Sequence, residues 1–158
     1  MSKIPLLSIE EIIEKLNSLN KKSTPSWGEM NSSQMVKHCS AFIDLYLGKI
    51  SVPFWYKYFG TTIGKLFLRY ISKKSPLETP RNMRTDKSLK IIDENLDLDH
   101  EKKLLINKLH ELHKITGQIN HPIYGNMQSE QVVFLIKHHT MHHLNQFNLI
   151  DSQNHVWK

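Results

Sequence analysis

Four histidines fall within six positions in the stretch K-H-H-T-M-H-H-L-N-Q-F, Lys137 to Phe147: His138, His139, His142 and His143. Neutral imidazole is the commonest protein ligand for zinc and also suits nickel, copper and iron. On an α-helix, residues four apart share a face, so either His138 with His142 or His139 with His143 can aim two imidazoles at one point. If the helix runs from about Gln128 to Ile150, the stripe through His139 and His143 also carries Val132, Ile136, Phe147 and Ile150 and is otherwise apolar. The stripe through His138 and His142 runs on to Asn145 and Asn148, with Phe134 and Met141 as its apolar members. The first is therefore assigned to the interior and the second to the wetter side. Two ligands do not complete a site, and a third has to come from another element.

The elements that could supply it follow from capping signals and apolar spacing. Ser8-Ile9-Glu10-Glu11 has the form of a capping box, and Ile12, Ile13 and Leu16 follow at helical intervals, predicting a first helix from Ser8 to Leu19. Asn20 to Gly28 reads as a loop, with Trp27 anchoring its end. Asn31 and Gln34 open a second helix to about Ile50, whose repeating positions include Met35, His38, Cys39, Phe42, Leu45 and Tyr46. His38 is the one imidazole in that stripe. A single histidine on an apolar face is more often a satisfied core residue, but here another helix already offers two. Cys39 lies about 100° around the helix from His38 and reads as a buried structural thiol.

Ser51 to Asp97 is less regular. Val52 to Ile71 is aromatic-rich, yet Pro53, Lys57, Gly60, Gly64 and Lys65 interrupt it, and it holds no uncharged run of the roughly 18 residues a membrane span needs. Packing over one end of the core is favoured over an interfacial anchor. Ser72 to Asp86 reads as an exposed loop, with Thr85 or Asp86 capping a short helix through Ile91 and Ile92. The next helix begins near Asp97 or Asp99, carries Leu104, Leu105, Leu109, Leu112 and Ile115, and ends at Gly117. Its His110 and His113 are one residue short of the H-E-x-x-H spacing and read as surface. Gln118 to Met127 is a tight connection into the last helix. Four helices without a convincing strand predict an all-α four-helix bundle, a single domain over residues 1–158, with a long crossover between helices two and three.

The 158-residue chain has 39% apolar and 23% charged residues, ordinary for a globular domain. One cysteine excludes an internal disulfide and a four-cysteine zinc ribbon. No signal-peptide pattern opens the chain, so a cytoplasmic protein is expected. The net charge of +6 is scattered rather than stacked on one helix, so neither a nucleic-acid nor a membrane partner is expected.

The motifs W-G-x-M-x-x-x-Q-M-x-x-H (Trp27-Gly28-Glu29-Met30 through Gln34-Met35 to His38), H-P-x-x-G (His121-Pro122-Ile123-Tyr124-Gly125) and H-x-x-x-H-x-x-Q (His139, His143, Gln146) resemble the DinB/YfiT-like superfamily of metal-binding four-helix bundles. The likeness is to an uncharacterised branch and runs from about Leu6 to Ile150. It implies a divalent metal, zinc or nickel, held by His38, His139 and His143. Three imidazoles leave coordination positions open, as catalytic zinc sites do. The resemblance further implies either a metal-dependent thiol transferase or hydrolase acting on a small molecule, with a low-molecular-weight thiol as cosubstrate, or a non-catalytic, stress-related binding module that forms a homodimer through its aromatic crossover. Gln146 is open to contact with a ligand or with a histidine. Asp44 and Glu29 are the nearest carboxylates to the His38 helix, and their spacing marks neither as a general base.

Overall fold

A computed structural model describes residues 6–83 and 87–150. The first helix, α1 (Ile9–Ser18), starts where Ser8 accepts from the Glu11 N–H and the Glu11 carboxylate accepts from the Ser8 N–H. The second, α2 (Ser32–Tyr46), starts on the same reciprocal arrangement between Asn31 and Gln34. Each such pair satisfies two of the donors that a helix start leaves free. Then come α3 (Phe54–Phe59), a π-helical turn over Gly60–Gly64, and α4 (Lys65–Ile71) without a break, followed by short 3₁₀ turns at Pro76–Glu78 and Lys87–Leu89. Asp97 caps α5 (Leu98–Glu111) by accepting from the N–H groups of Asp99 and His100. The hairpin β1 (Gln118–His121) and β2 (Gly125–Gln128) leads into α6 (Ser129–Gln146).

Helix α2 packs on α5 and α6, and α1 packs on the same two. Their shared core is built from side chains with no exposure, among them Ile12, Leu16, Met35, Ile43, Leu105, Ile136 and Leu144. Two ion pairs tie α2 to α5: Lys37 to the buried Glu101 at 2.9 Å and Lys108 to Asp44 at 2.5 Å.

The all-α four-helix bundle is corrected by the antiparallel pair β1–β2, registered Gln118 to Gln128 through His121 to Gly125. The protein is mostly helical with a two-stranded sheet. Ile119 and Met127 face one another across the pair, and Met127 reaches the core while Asn126 and Gln128 remain exposed. That alternation is the strand signal, but four residues are too few to separate it from a loop. The turn offers more: three residues join the strands and Gly125 sits at φ +74°, a common build for a short hairpin.

The crossover differs too. Val52 to Ile71 is helical for most of its length, and no helix among the described residues is long and apolar enough to cross a membrane. Ile91 and Ile92 lie outside any helix, and their expected caps, Thr85 and Asp86, lie outside the described residues. Helix α2 stops at Tyr46 rather than near Ile50, and α5 gives way at Leu112 to a 3₁₀ turn well before Gly117. The positive φ at Gly117 serves the hairpin instead, where its carbonyl accepts from the Ser129 N–H.

Gly60 presses on the hairpin turn so closely that a Cβ there would stand 2.4 Å from the Ile123 carbonyl oxygen. Backbone cannot retreat as a flexible side chain can, so Gly60→Ala is expected to cost about 1–3 kcal/mol in urea unfolding, with an unchanged m-value.

His121 organises the same turn: its Nδ1 accepts from the N–H groups of Ile123 and Tyr124 at 3.0 and 3.2 Å. Its ring is fully buried against Tyr46 and Tyr124, and burial lowers its pKa from 6.5 to about 4. The unfolded chain therefore takes up a proton between pH 6.5 and 4 that the native chain refuses. Stability is fully present above pH 6.5 and falls as the pH drops, by about 3 kcal/mol at pH 4 from this residue. His121→Asn, which keeps a side-chain acceptor without a titration, is expected to flatten the fall in stability between pH 7 and pH 4.

Candidate metal centre

Helix α2 brings His38 against His139 and His143 of α6, and one ring nitrogen from each lies within 4.8 Å of the others. The Nε2 atoms of His38 and His139 are 3.1 Å apart, with ring centroids separated by 4.9 Å; His143 stands 4.8 Å from His38 and 4.6 Å from His139 by centroids. Two nitrogens on a tetrahedral zinc, each at 2.0–2.1 Å, would stand about 3.4 Å apart. The 3.1 Å between His38 and His139 is close to that, and the three nitrogens, within 4.8 Å of one another, are near enough to hold a shared divalent cation if they draw in around it.

The hydrogen bonds behind the rings decide which nitrogen faces the common point. His38 Nδ1 lies 2.9 Å from the carbonyl oxygen of Leu89, which can only accept, so Nδ1 carries the proton and Nε2 keeps its lone pair. Gln146 settles His143 in two steps. Its amide nitrogen donates to the Trp27 carbonyl at 2.6 Å, which turns Oε1 toward His143 Nδ1 at 2.8 Å. His143 Nδ1 must then be the donor, leaving Nε2 bare. Partners of this kind orient metal-binding histidines and fix their tautomers.

His139 is held differently. Phe42 lies parallel to its ring at 3.7 Å between centroids and 6° between planes, and its buried Nδ1 has no hydrogen-bond partner among the described residues. With His38 Nε2 bare, the 3.1 Å contact is a hydrogen bond only when His139 Nε2 carries the proton. A cation at that point requires the proton on Nδ1 instead, so His139 is the one member whose tautomer must change.

Burial holds all three imidazoles below their ordinary pKa, His139 and His143 well below. For His139, repulsion from His143 and His38 adds to the same effect. Neutral imidazole is the form that binds metal, so the environment keeps the set ready at neutral pH.

Two of the three sequence motifs find a place around this cluster, while His121-Pro122-Ile123-Tyr124-Gly125 forms the hairpin turn. Trp27 supplies the carbonyl that turns Gln146, and Gly28, at φ +79°, leaves room for that amide: a Cβ there would stand 2.6 Å from Gln146 Nε2. Trp27 is itself capped by the Arg81 guanidinium, 4.2 Å from the ring centroid. Gln34 closes the start of α2 one turn before His38, and its amide nitrogen reaches the Ile91 carbonyl at 3.4 Å, close to the segment that holds His38.

The stripe through His138 and His142 is the wetter of the two, with Asn148 exposed and Asn145 and His142 half-buried, but its His138 is not wet. His138 is 3% exposed and donates from Nε2 to the Lys74 carbonyl at 3.0 Å; His142 Nδ1 lies 3.3 Å from the Pro76 carbonyl. The crossover covers this face, so these two histidines fasten it to α6. Periodicity along one helix carries no signal of a segment returning from elsewhere in the chain. Cys39 is buried beside Met35 with its thiol pKa pushed up to about 12. Asp44 is taken by Lys108, Glu29 is exposed, and so are His110 and His113.

Replacing Gln146 by Leu removes the acceptor behind His143, and Gly28→Ala pushes the same amide away. Both substitutions are expected to weaken zinc affinity about 10–100-fold in calorimetric titration. Gly28→Ala carries in addition a folding cost of about 1–2 kcal/mol from its positive φ.

No curated protein and no solved structure matches the chain. A family model described as a protein of unknown function, DUF1569, matches residues 3–149, from before α1 to beyond the end of α6. The chain that carries this histidine cluster belongs to the DUF1569 family.

Proposed function

We propose that the protein holds a divalent metal on His38, His139 and His143 and uses it to act on a small molecule, with a low-molecular-weight thiol or water as nucleophile. The observation that carries this reading is the pair of fixed tautomers: Leu89 and Gln146 each hold a proton on the outer nitrogen, so that His38 and His143 present lone pairs inward. His38 Nε2 and His139 Nε2 lie 3.1 Å apart, so a cation at that point would take the place of a hydrogen bond between two imidazoles. The likeness of the sequence motifs to the DinB/YfiT-like superfamily supports the same ligand set.

With three protein ligands, positions remain for an exogenous group, the pattern of a catalytic site. A bound metal would bring water to a pKa of about 7 or hold a thiol as thiolate. The chain itself positions and tunes. His38 and His143 are aimed from behind, Phe42 fixes the plane of His139, and burial excludes protons that would compete for the lone pairs. Asp44, being paired with Lys108, is not free to act as a base, so the reading places activation of the nucleophile on the metal.

The thiol part is tested with cobalt(II)-loaded protein. Addition of glutathione is expected to produce a thiolate-to-cobalt charge-transfer band in the near ultraviolet, absent from His143→Ala. A cobalt spectrum that glutathione leaves unchanged would remove the thiol from the proposal.

A further inference from the structure

Between Asp44 and Glu78 the chain has no acidic residue, while Lys49, Lys57, Lys65, Arg69, Lys73 and Lys74 are all basic. The same segment holds α3, the π turn and α4, and its outer face is strongly apolar. Phe54 is 89% exposed, Tyr58 74%, Ile63 67% and Leu66 63%, with Trp55, Phe59 and Tyr70 also open to solvent. These positions follow helical spacing, Tyr58 to Leu66 to Tyr70 and Trp55 to Phe59 to Ile63. They are therefore one face rather than scattered side chains. A contiguous apolar patch of large side chains marks an interaction surface.

The opposite face is already committed. Gly60 packs on Ile123, Gly64 on the Tyr124 ring, and Leu68 and Ile71 are buried in the core. The helical segment cannot roll its aromatic side inward without losing those contacts. Lys57, Lys65 and Arg69, all exposed, accompany the apolar face and leave it with one sign of charge.

We propose that the outer face of α3 and α4 docks on an anionic lipid bilayer surface, with Phe54, Trp55, Tyr58 and Leu66 entering the headgroup boundary and Lys57, Lys65 and Arg69 meeting lipid phosphates. Aromatic and aliphatic side chains beside Lys and Arg are the composition of a helix lying in the membrane interface. Charge selects this occupant over a second copy of the chain. A twofold interface sets the same patch against itself, which here would bring cations together with no carboxylate on the segment to offset them.

Co-sedimentation of the full chain with vesicles tests the proposal, using phosphatidylcholine alone and phosphatidylcholine mixed with phosphatidylglycerol. Binding is expected on the anionic vesicles only, and weaker at high salt. Joint substitution K57Q/K65Q/R69Q is expected to weaken partitioning on the order of 100-fold. F54S/Y58S/L66S is expected to abolish it while leaving thermal unfolding as in the parent. If the apolar variant fails to fold, the lipid and salt dependence of the parent decides alone. Absence of binding to anionic vesicles, equal binding to neutral ones, or a dimer in sedimentation that F54S/Y58S/L66S disperses would overturn the proposal.

Discussion

The amide of Gln146 is the contact on which the candidate centre turns. It joins the loop before α2, through the Trp27 carbonyl 119 positions earlier, to His143, one turn back on its own helix, through that imidazole's Nδ1. A carboxamide has one accepting and one donating end, so satisfying the loop carbonyl dictates what the histidine must do. Gly28 is required because the amide occupies the space a side chain would need. One hydrogen-bonded relay thus converts a loop motif into the tautomer of His143.

A second relay runs through the crossover. Leu89 follows the chain's return from α4 and supplies the acceptor behind His38, while the carbonyls of Lys74 and Pro76 take His138 and His142. The four histidines of α6 therefore divide by partner. His138 and His142 meet backbone oxygens and hold the crossover down. His139 and His143 meet His38. Burial disfavours protonation throughout the group, which both stabilises the packed arrangement at neutral pH and keeps the inner nitrogens available.

Much of this was legible in the sequence because the relevant signals are local. Capping pairs at Ser8 and Glu11 and at Asn31 and Gln34 place α1 and α2, and four-residue spacing separates His139 from His138. What could not be read is what depends on distant segments. The hairpin is too short for its alternation to stand out, and the burial of His138 comes from the covering crossover rather than from its own helix. The role of Gln146 required the Trp27 carbonyl to be in place, 119 positions earlier. The same limit applies to Val52 to Ile71, where composition shows aromatic content but only the packing of Gly60 and Gly64 shows which side remains outside.

The central claim is that His38, His139 and His143 together bind a metal ion, and elemental analysis of the purified protein beside His38→Ala tests it most directly. His38 is the decisive position because it lies on a different helix from the other two. A divalent transition metal near one equivalent per chain in the parent, lost in His38→Ala with the fold retained by circular dichroism, is the result expected. A parent that takes up no metal even when zinc or nickel is supplied, or a His38→Ala protein that retains the full complement, would contradict it.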